Sequence, residues 1–257
     1  MFIDNVKNKT KICLLIEQIN IICVKIKQNV NGMFDSKMEL QYRFIDFIEG
    51  NLESHEKVLS EFDARFGNVD IVKIGFNGFN LLSFDQATLL VNFSVAKIVA
   101  FLNKGQVRTF KYLLNHSGYQ QKELKSIISK LIKANIIEEQ EKNRYLLAQD
   151  FHFPNTEFIS YEAKLTKWKD AISQAMQNKK FSNYSYIVFP YSLAEKLNKE
   201  EHHTLFKKTN IGLIGVSEKK VTYFIRPQKI KNTFRLNPSL ISSIAKFQIK
   251  TKLYVQV

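Results

Sequence analysis

Hydrophobic and polar positions show their clearest order at residues 158–176, FISYEAKLTKWKDAISQAM. The start of this stretch predicts a β-strand, and side chains on a strand alternate between its two faces. One face consists of Ile159, Tyr161, Ala163 and Leu165, and the other of Phe158, Ser160, Glu162 and Lys164. An amphipathic helix is predicted next, with Thr166 as N-cap and Gln174 at the edge of its apolar stripe. The stripe consists of Trp168, Ala171, Ile172, Ala175 and Met176.

The remaining patterns predict a mixture of helices and strands. Residues 37–53 predict a helix, and a hairpin follows with strands at 57–65 and 69–76. NYSYIVFP predicts a central strand, a helical stretch follows it, and NIGLIGVSEKKVTYFIRP predicts two strands around a polar turn. A short helix from Pro238 and a final apolar strand, KLYVQV, complete the pattern. The predicted fold class is therefore α/β, with an α+β mixed sheet.

Residues 92–148 predict three helices, NFSVAKIVAFLNKG, TFKYLLNHSG and YQQKELKSIISKLIKAN, followed by two strands in IIEEQEKNRYLLA. This order resembles a winged helix-turn-helix, whose third helix can enter the major groove of DNA. The resemblance places four candidate DNA contacts at the start of that helix: Gln120, Gln121, Lys122 and Lys125. The alternative is a packing or protein-contact module whose lysines are only solvated.

The chain is strongly basic, with a formal net charge of +14 and a pI near 9.6. Such a balance favours double-stranded DNA or another anionic partner, although a surface of solvated lysines is the alternative. Cys13 and Cys23 form no CxxC or Cys/His pattern, so we expect no structural zinc. We expect both thiols to be reduced, in a cytoplasmic protein. The apolar segment around them contains Glu17 and Asn20 and is too short and polar to span a membrane. We therefore expect no membrane partner.

Two acidic positions are candidates for chemistry. Glu162 and Lys164 form an acid-x-Lys pattern that projects from one face of an apolar strand. The same spacing occurs in charged stretches or a predicted helix at Asp35/Lys37, Glu123/Lys125 and Glu218/Lys220. Asp70 begins a hairpin strand among apolar residues, where an unpaired buried carboxylate is costly. An exposed acid at the end of the strand is the alternative for Asp70.

Residues 37–76 and 156–227 together resemble the PD-(D/E)XK nuclease superfamily. The resemblance lies in a helix, a strand bearing Asp70, a strand bearing Glu162-Ala163-Lys164, and a helix bearing Gln174. It implies a restriction-endonuclease-like core in which Asp70 and Glu162 bind Mg²⁺, or Mn²⁺ in its place. Lys164 and Gln174 would complete the catalytic set.

An acid from the first helix often joins such a site. Glu39 fits this role by its distance along the chain from Asp70, and Glu49 is the alternative. Two features depart from the family pattern. Val69 stands where a proline is frequent, and the two acidic strands are far apart in sequence. An inserted winged-helix domain explains this separation, because long insertions are tolerated when their ends stay close.

The expected organisation has five parts. They are an N-terminal extension at 1–36, core segments at 37–85 and 151–227, the inserted module at 86–150, and a C-terminal extension at 228–257. The resemblance implies a Mg²⁺-dependent DNA endonuclease or a nuclease-like DNA-processing protein. A homodimer or a partner protein of a defence or mobile-element system would fit. The alternative is a non-catalytic DNA-binding regulator on a retired nuclease fold, and an RNA-directed nuclease is disfavoured because no aromatic platform stands out.

Overall fold

The computed structural model describes residues 34–64, 67–78, 80–102, 106–231 and 237–253. It shows a mixed α/β fold built on a six-stranded mixed sheet, which confirms the predicted fold class. Most of the predicted N-terminal extension lies outside the described residues.

The helices are α1 (Lys37–Glu49), α2 (Phe84–Leu90), α3 (Phe93–Phe101), α4 (Phe110–Ser117), α5 (Gln121–Lys133), α6 (Trp168–Asn178), α7 (Tyr191–Leu197), α8 (Glu200–Thr209) and α9 (Pro238–Thr251). The strands are β1 (Glu56–Asp63), β2 (Asn68–Phe76), β3 (Arg108–Thr109), β4 (Ile137–Glu141), β5 (Arg144–Leu147), β6 (Thr156–Ala163), β7 (Tyr184–Pro190), β8 (Gly212–Val216) and β9 (Val221–Ile225).

The large sheet has the strand order β1–β2–β6–β7–β8–β9. Its central pairs, β6–β7 and β7–β8, are parallel, and the outer pairs are antiparallel. Parallel neighbours require a crossover, which α6 provides for the first pair and α7 with α8 for the second. Because helices cover the centre of the sheet, β7 and β8 are almost entirely buried, in agreement with their continuous apolar runs.

Helices cover both faces of the large sheet. On one face, α1 packs Leu40, Phe44 and Ile48 against a cluster that includes Tyr161. On the other face, α6, α7 and α8 cover β7 and β8, while α9 covers β1, β2 and β6. The predicted alternation of β6 is confirmed, because Tyr161 and its face belong to the α1 side and Phe158 belongs to the α9 side.

Helix α9 shows that the predicted C-terminal extension is part of the core. The ring of Phe247 lies 6.0 to 6.1 Å from the rings of Phe62, Phe76 and Phe158 on the sheet. On its other side, α9 packs on α2 and α3, and Ser242 Oγ donates to the carbonyl oxygen of Val91 (2.8 Å). The helix ends at Thr251, beyond the short helix predicted from sequence, and most of the predicted last strand lies outside the described residues.

The segment between β2 and β6 leaves and rejoins the sheet at one point. Phe76 pairs with Thr156, and the Asn77 amide donates to the Asn155 carbonyl (2.7 Å). Within the segment, α2, α3, β3, α4, α5, β4 and β5 follow in order, and the small sheet has the order β3–β5–β4. These helices share one hydrophobic core with α9 and the large sheet.

Helices α2 and α3 form a bent apolar pair. Ser83 caps α2 in a capping box with Gln86, and Asn92 caps α3. In the parts of the chain that the structure describes, no single helix is long and apolar enough to cross a membrane. The α2–α3 pair meets that test jointly by length and composition, with a bend of 98° between its helices.

Candidate active site

The first residues of β2 and the last residues of β6 meet at one edge of the large sheet. Ile71 pairs with Tyr161, so the next residues along the two antiparallel strands, Asp70 and Glu162, stand opposite each other. Both are buried, with exposed fractions of 4% and 2%. Because like charges directly opposite on a sheet repel, this pair requires compensating groups.

Asp70 is compensated by one side chain and one backbone group. Lys37 Nζ donates to Asp70 Oδ1 (2.6 Å), and the Ala163 amide donates to Asp70 Oδ2 (2.8 Å). Lys37 reaches the site because it lies three residues before Leu40, on the face of α1 that packs against the sheet. Partial burial acts to lower the pKa of Lys37, but the hydrogen bond and negative charge of Asp70 outweigh it and raise the pKa.

Lys164 lies between the two carboxylates. Its Nζ is 3.8 Å from Glu162 Oε2 and 4.0 Å from Asp70 Oδ2. These distances exceed those of a direct hydrogen bond, so Lys164 acts on both groups mainly through its charge. The predicted convergence of Asp70, Glu162 and Lys164 is thus the geometry that the structure shows.

Glu162 is the less compensated of the two acids. Asn178 Nδ2 donates to its Oε1 (2.8 Å), whereas its buried Oε2 has no hydrogen-bond partner among the described residues. Burial, and then the negative charge of Asp70, raise the pKa of Glu162 to about 7, although the Asn178 hydrogen bond and the charge of Lys164 act to lower it.

A small buried network fixes Asn178 under the site. Ser182 Oγ donates to the Asn178 carbonyl (2.8 Å) and lies 3.0 Å from Ser160 Oγ on β6. Ser185 Oγ donates to the Ala175 carbonyl one turn earlier in α6 (2.9 Å). These bonds tie the last turns of α6 to β6 and β7, so the amide that supports Glu162 is held in place.

Helix α6 presents a different polar residue to Glu162 from the one predicted. Gln174 is exposed, and Asn178, four residues later, makes the hydrogen bond to Glu162. Thr166 is not the N-cap, because α6 begins at Trp168 and Lys167 precedes it. The buried stripe continues through Ala175 to the end of the helix, which brings Asn178 rather than Gln174 onto the sheet side.

Helix α1 contributes a cation where an acid was expected. Glu39 is half-buried, and its Oε2 accepts from the Asp35 amide (2.8 Å) at the start of the helix. Glu49 is exposed at the other end. Lys37 contacts Asp70 instead, and its spacing from Leu40 and Phe44 was the sequence signal that could have identified it.

A third carboxylate lies one strand further out. Ser60 pairs with Ile71 and Phe62 with Val69, so Glu61 stands opposite Asp70 on β1. Its φ of 49° is in the left-handed region, which is uncommon for a residue with a side chain. Gln41 Nε2 lies 3.4 Å from Glu61 Oε1, and the charge of Glu61 helps to raise the pKa of Lys37.

The donor set suits a partly hydrated hard cation. In the described ranges, no three His, Cys, Asp or Glu side chains form a closed metal cluster. Mg²⁺ often takes only one or two carboxylates, because it keeps several waters and binds substrate phosphates. Asp70 and Glu162 could supply these ligands, and the unpartnered Oε2 of Glu162 is an oxygen that a cation would satisfy.

The candidate DNA contacts lie together at the start of α5. Gln120, Gln121, Lys122 and Lys125 are all exposed, whereas Leu124, Ile128 and Leu131 are buried on the opposite face. A cleft of about 570 Å³ lies between α5 and the α2–α3 pair. Its lining includes Lys122 and Lys130 together with Asn92 and Tyr119.

The strand after α5 has the opposite charge. Glu138, Glu139 and Glu141 are exposed on β4, which is an edge strand of the small sheet. Charged side chains on an edge strand oppose pairing with other chains. They would also repel a phosphate backbone, so α5 and not β4 is the basic surface of this segment.

Comparisons of this chain with protein-family models, curated proteins and solved structures gave no match. The functional argument therefore depends on the geometry and charge of the chain's own residues.

Proposed function

We propose that this protein is a Mg²⁺-dependent DNA endonuclease or a closely related nuclease-like DNA-processing protein. The observation that carries the proposal is the convergence of Asp70 and Glu162 on the Nζ of Lys164, within 4.0 Å, at one edge of a mixed sheet. The order of strand, acid-x-Lys strand and supporting helix supports a restriction-endonuclease-like core. Phosphodiester hydrolysis needs metal-binding oxygens and a cation beside the scissile phosphate, and these residues provide both.

The residues of the site have separable roles in this proposal. Asp70 and Glu162 would hold the cation, which supplies Lewis-acid polarisation of the phosphate and a more acidic water. The Ala163 amide orients Asp70, and Asn178 orients Glu162. Lys164 places positive charge where negative charge grows in the transition state.

The features of the segment between β2 and β6 support the proposal that the protein binds DNA. Its order of helices and strands, with β5 between β3 and β4, is consistent with an inserted winged-helix module. In that module α5 is the helix that enters the major groove. Its exposed glutamines and lysines could contact base edges and phosphates.

A supercoiled-plasmid assay with Mg²⁺ or Mn²⁺ tests the function directly. We expect the parent to nick or linearise the plasmid and Lys164→Ala to lose at least about 10²-fold in rate, because its charge stabilises the transition state. Asp70→Asn and Glu162→Gln should lose cleavage through loss of the cation. Duplex binding by Lys164→Ala should stay close to that of the parent.

Matched controls come from a second acid-x-Lys pattern in an exposed turn. Glu218→Gln and Lys220→Ala change the same residue types outside the group of Asp70, Glu162 and Lys164, in the turn between β8 and β9, and should leave cleavage unchanged. A parent that binds DNA but cuts nothing with either metal would contradict the nuclease proposal. Equal rates for Lys164→Ala and the parent would assign the activity to another part of the chain or to a contaminant.

One contact favours the alternative of a non-catalytic DNA-binding regulator on a retired nuclease fold. Lys37 Nζ lies 2.6 Å from Asp70 Oδ1, where its positive charge can substitute for that of a metal ion. A regulator would bind DNA equally well with EDTA or Mg²⁺. A metal-dependent change in the affinity of the parent that Asp70→Asn abolishes would argue against it.

A further inference from the structure

Both oxygens of Asp70 are already bonded to the chain. Oδ1 accepts from Lys37 on α1, and Oδ2 accepts from the backbone amide of Ala163. The backbone bond is fixed by the strand, whereas the Lys37 side chain is 39% exposed and flexible. A cation that binds Asp70 therefore competes first with Lys37.

We propose that Lys37 exchanges partners during the reaction cycle. It leaves Asp70 when a divalent cation binds and then pairs with a phosphate oxygen of the DNA. This inference rests on the proposed nuclease function and adds to it a substrate-binding residue outside the acid-x-Lys strand.

The charges of the site favour this exchange. With both acids ionised, Asp70 and Glu162 are balanced by Lys37 and Lys164. A divalent cation adds two positive charges, so the Lys37 ammonium is then repelled from Asp70. The nearest strong anion in a DNA complex is the phosphate at the cation, and the N-terminal end of α1 adds a favourable partial charge for it.

Lys164 is less suited to the same movement. Its side chain is 18% exposed, and it follows β6 directly, with its backbone amide bonded to the Val188 carbonyl (3.0 Å). Lys37 belongs to a different element from both acids, so it can leave Asp70 without disturbing the strands. Glu61 is the competing destination, because its charge also acts on Lys37.

The first measurement is Mn²⁺ binding to the full chain without DNA, by isothermal titration calorimetry. Lys37→Ala should bind Mn²⁺ about fivefold more tightly than the parent, because the competing ammonium is gone. Lys37→Gln repeats the test with a side chain that retains most of its length. Lys73→Ala is the matched control, since Lys73 on β2 makes a 2.6 Å ion pair with Glu56 on β1. Thermal melting checks that each variant folds.

The second measurement is affinity for a short DNA duplex, by fluorescence anisotropy, in EDTA and in Ca²⁺, with intact duplex verified on a gel. Lys37→Ala should bind about fivefold more weakly than the parent in Ca²⁺ and equally well in EDTA. Lys73→Ala should match the parent in both.

The outcomes separate the two proposals. A parent that binds no Mn²⁺ overturns the nuclease proposal and this inference together. A parent that binds Mn²⁺ with the same affinity as Lys37→Ala overturns the exchange alone. Tighter Mn²⁺ binding by Lys37→Ala with unchanged duplex affinity in Ca²⁺ overturns the transfer to phosphate and assigns Lys37 to Glu61 or solvent.

Discussion

Glu162 is the residue on which the electrostatics of the site depend most. It is 2% exposed, and only one of its oxygens accepts a hydrogen bond from a described residue. A buried carboxylate in this position favours its protonated form until a cation approaches. In the proposed metal site, binding of the cation would therefore be coupled to release of a proton from Glu162.

The raised pKa of Glu162 predicts that the stability of the fold depends on pH. The pKa of Glu162 is about 7 in the folded chain, against an ordinary value of 4.5, so the folded state binds more protons between these values. Without metal, the free energy of unfolding should fall as pH rises from 4.5 to 7, and Glu162→Gln should lack this component. Urea unfolding in EDTA across this range measures the difference between the two proteins.

Excess Mg²⁺ provides the internal control, because it favours the ionised carboxylate and should flatten the parent's profile. Identical profiles for the parent and Glu162→Gln in EDTA would show that Glu162 does not titrate in this range.

Sequence patterns located the strand residues of the site better than the helix residues. A strand offers only two faces, so the alternation in β6 fixed the common side of Glu162 and Lys164. On helix α6 the buried stripe through Ala171 and Ala175 continues to Asn178, whereas Gln174 lies outside it. Lys37 was not predicted because its partner Asp70 lies on another element, and a pattern within one element does not show contacts between elements.

At the scale of elements, α5 is basic and the strand that follows it, β4, is acidic. Lys122, Lys125, Lys130 and Lys133 are exposed on α5, and an acidic edge follows on β4. Attraction to DNA should thus be directional, with α5 leading the approach.

Removal of positive charge from α5 should weaken DNA binding. The double variant Lys122→Gln/Lys125→Gln should reduce duplex affinity and lower the slope of log affinity against log salt concentration by about two, since each lost phosphate contact contributes about one. Fluorescence anisotropy over a range of salt concentrations measures both quantities.

Lys207→Gln/Lys208→Gln removes the same charge from exposed positions on α8 and serves as the matched control. If both double variants lose affinity equally, the effect reflects net charge and α5 has no special role.

Element prediction was most accurate where turns separated clear patterns. It found the start of α9 at Pro238 but underestimated the length of that helix, which extends to Thr251. The hairpins β1–β2 and β8–β9 were predicted within one or two residues of their observed bounds. Helix α9 buries Ser242, Ser243 and Gln248 beside its apolar residues. Small hydroxyl and amide side chains can be buried when they bond to backbone, as Ser242 does to Val91, but they weaken the apolar stripe in sequence.

At the scale of the molecule, α9 joins the large sheet to the segment between β2 and β6. Phe247 is fully buried between them, so its removal leaves a cavity in the shared core. Phe247→Ala should lower the free energy of unfolding by about 3–5 kcal/mol. Chemical denaturation followed by circular dichroism measures this loss.

Phe84→Ala is the control, because the Phe84 side chain is 51% exposed at the start of α2. A loss for Phe247→Ala no greater than that of the control would show that α9 contributes little to the core.

The position of α9 also has a consequence for synthesis on the ribosome. Translation delivers the sheet and the segment between β2 and β6 before α9, the last of the described elements. Until α9 leaves the exit tunnel, Phe62, Phe158 and their neighbours lack their covering helix. A nascent chain with an uncovered apolar sheet is prone to aggregation and is a substrate for chaperones. Burial of this apolar surface thus waits for α9, and the same step joins the sheet to the segment between β2 and β6.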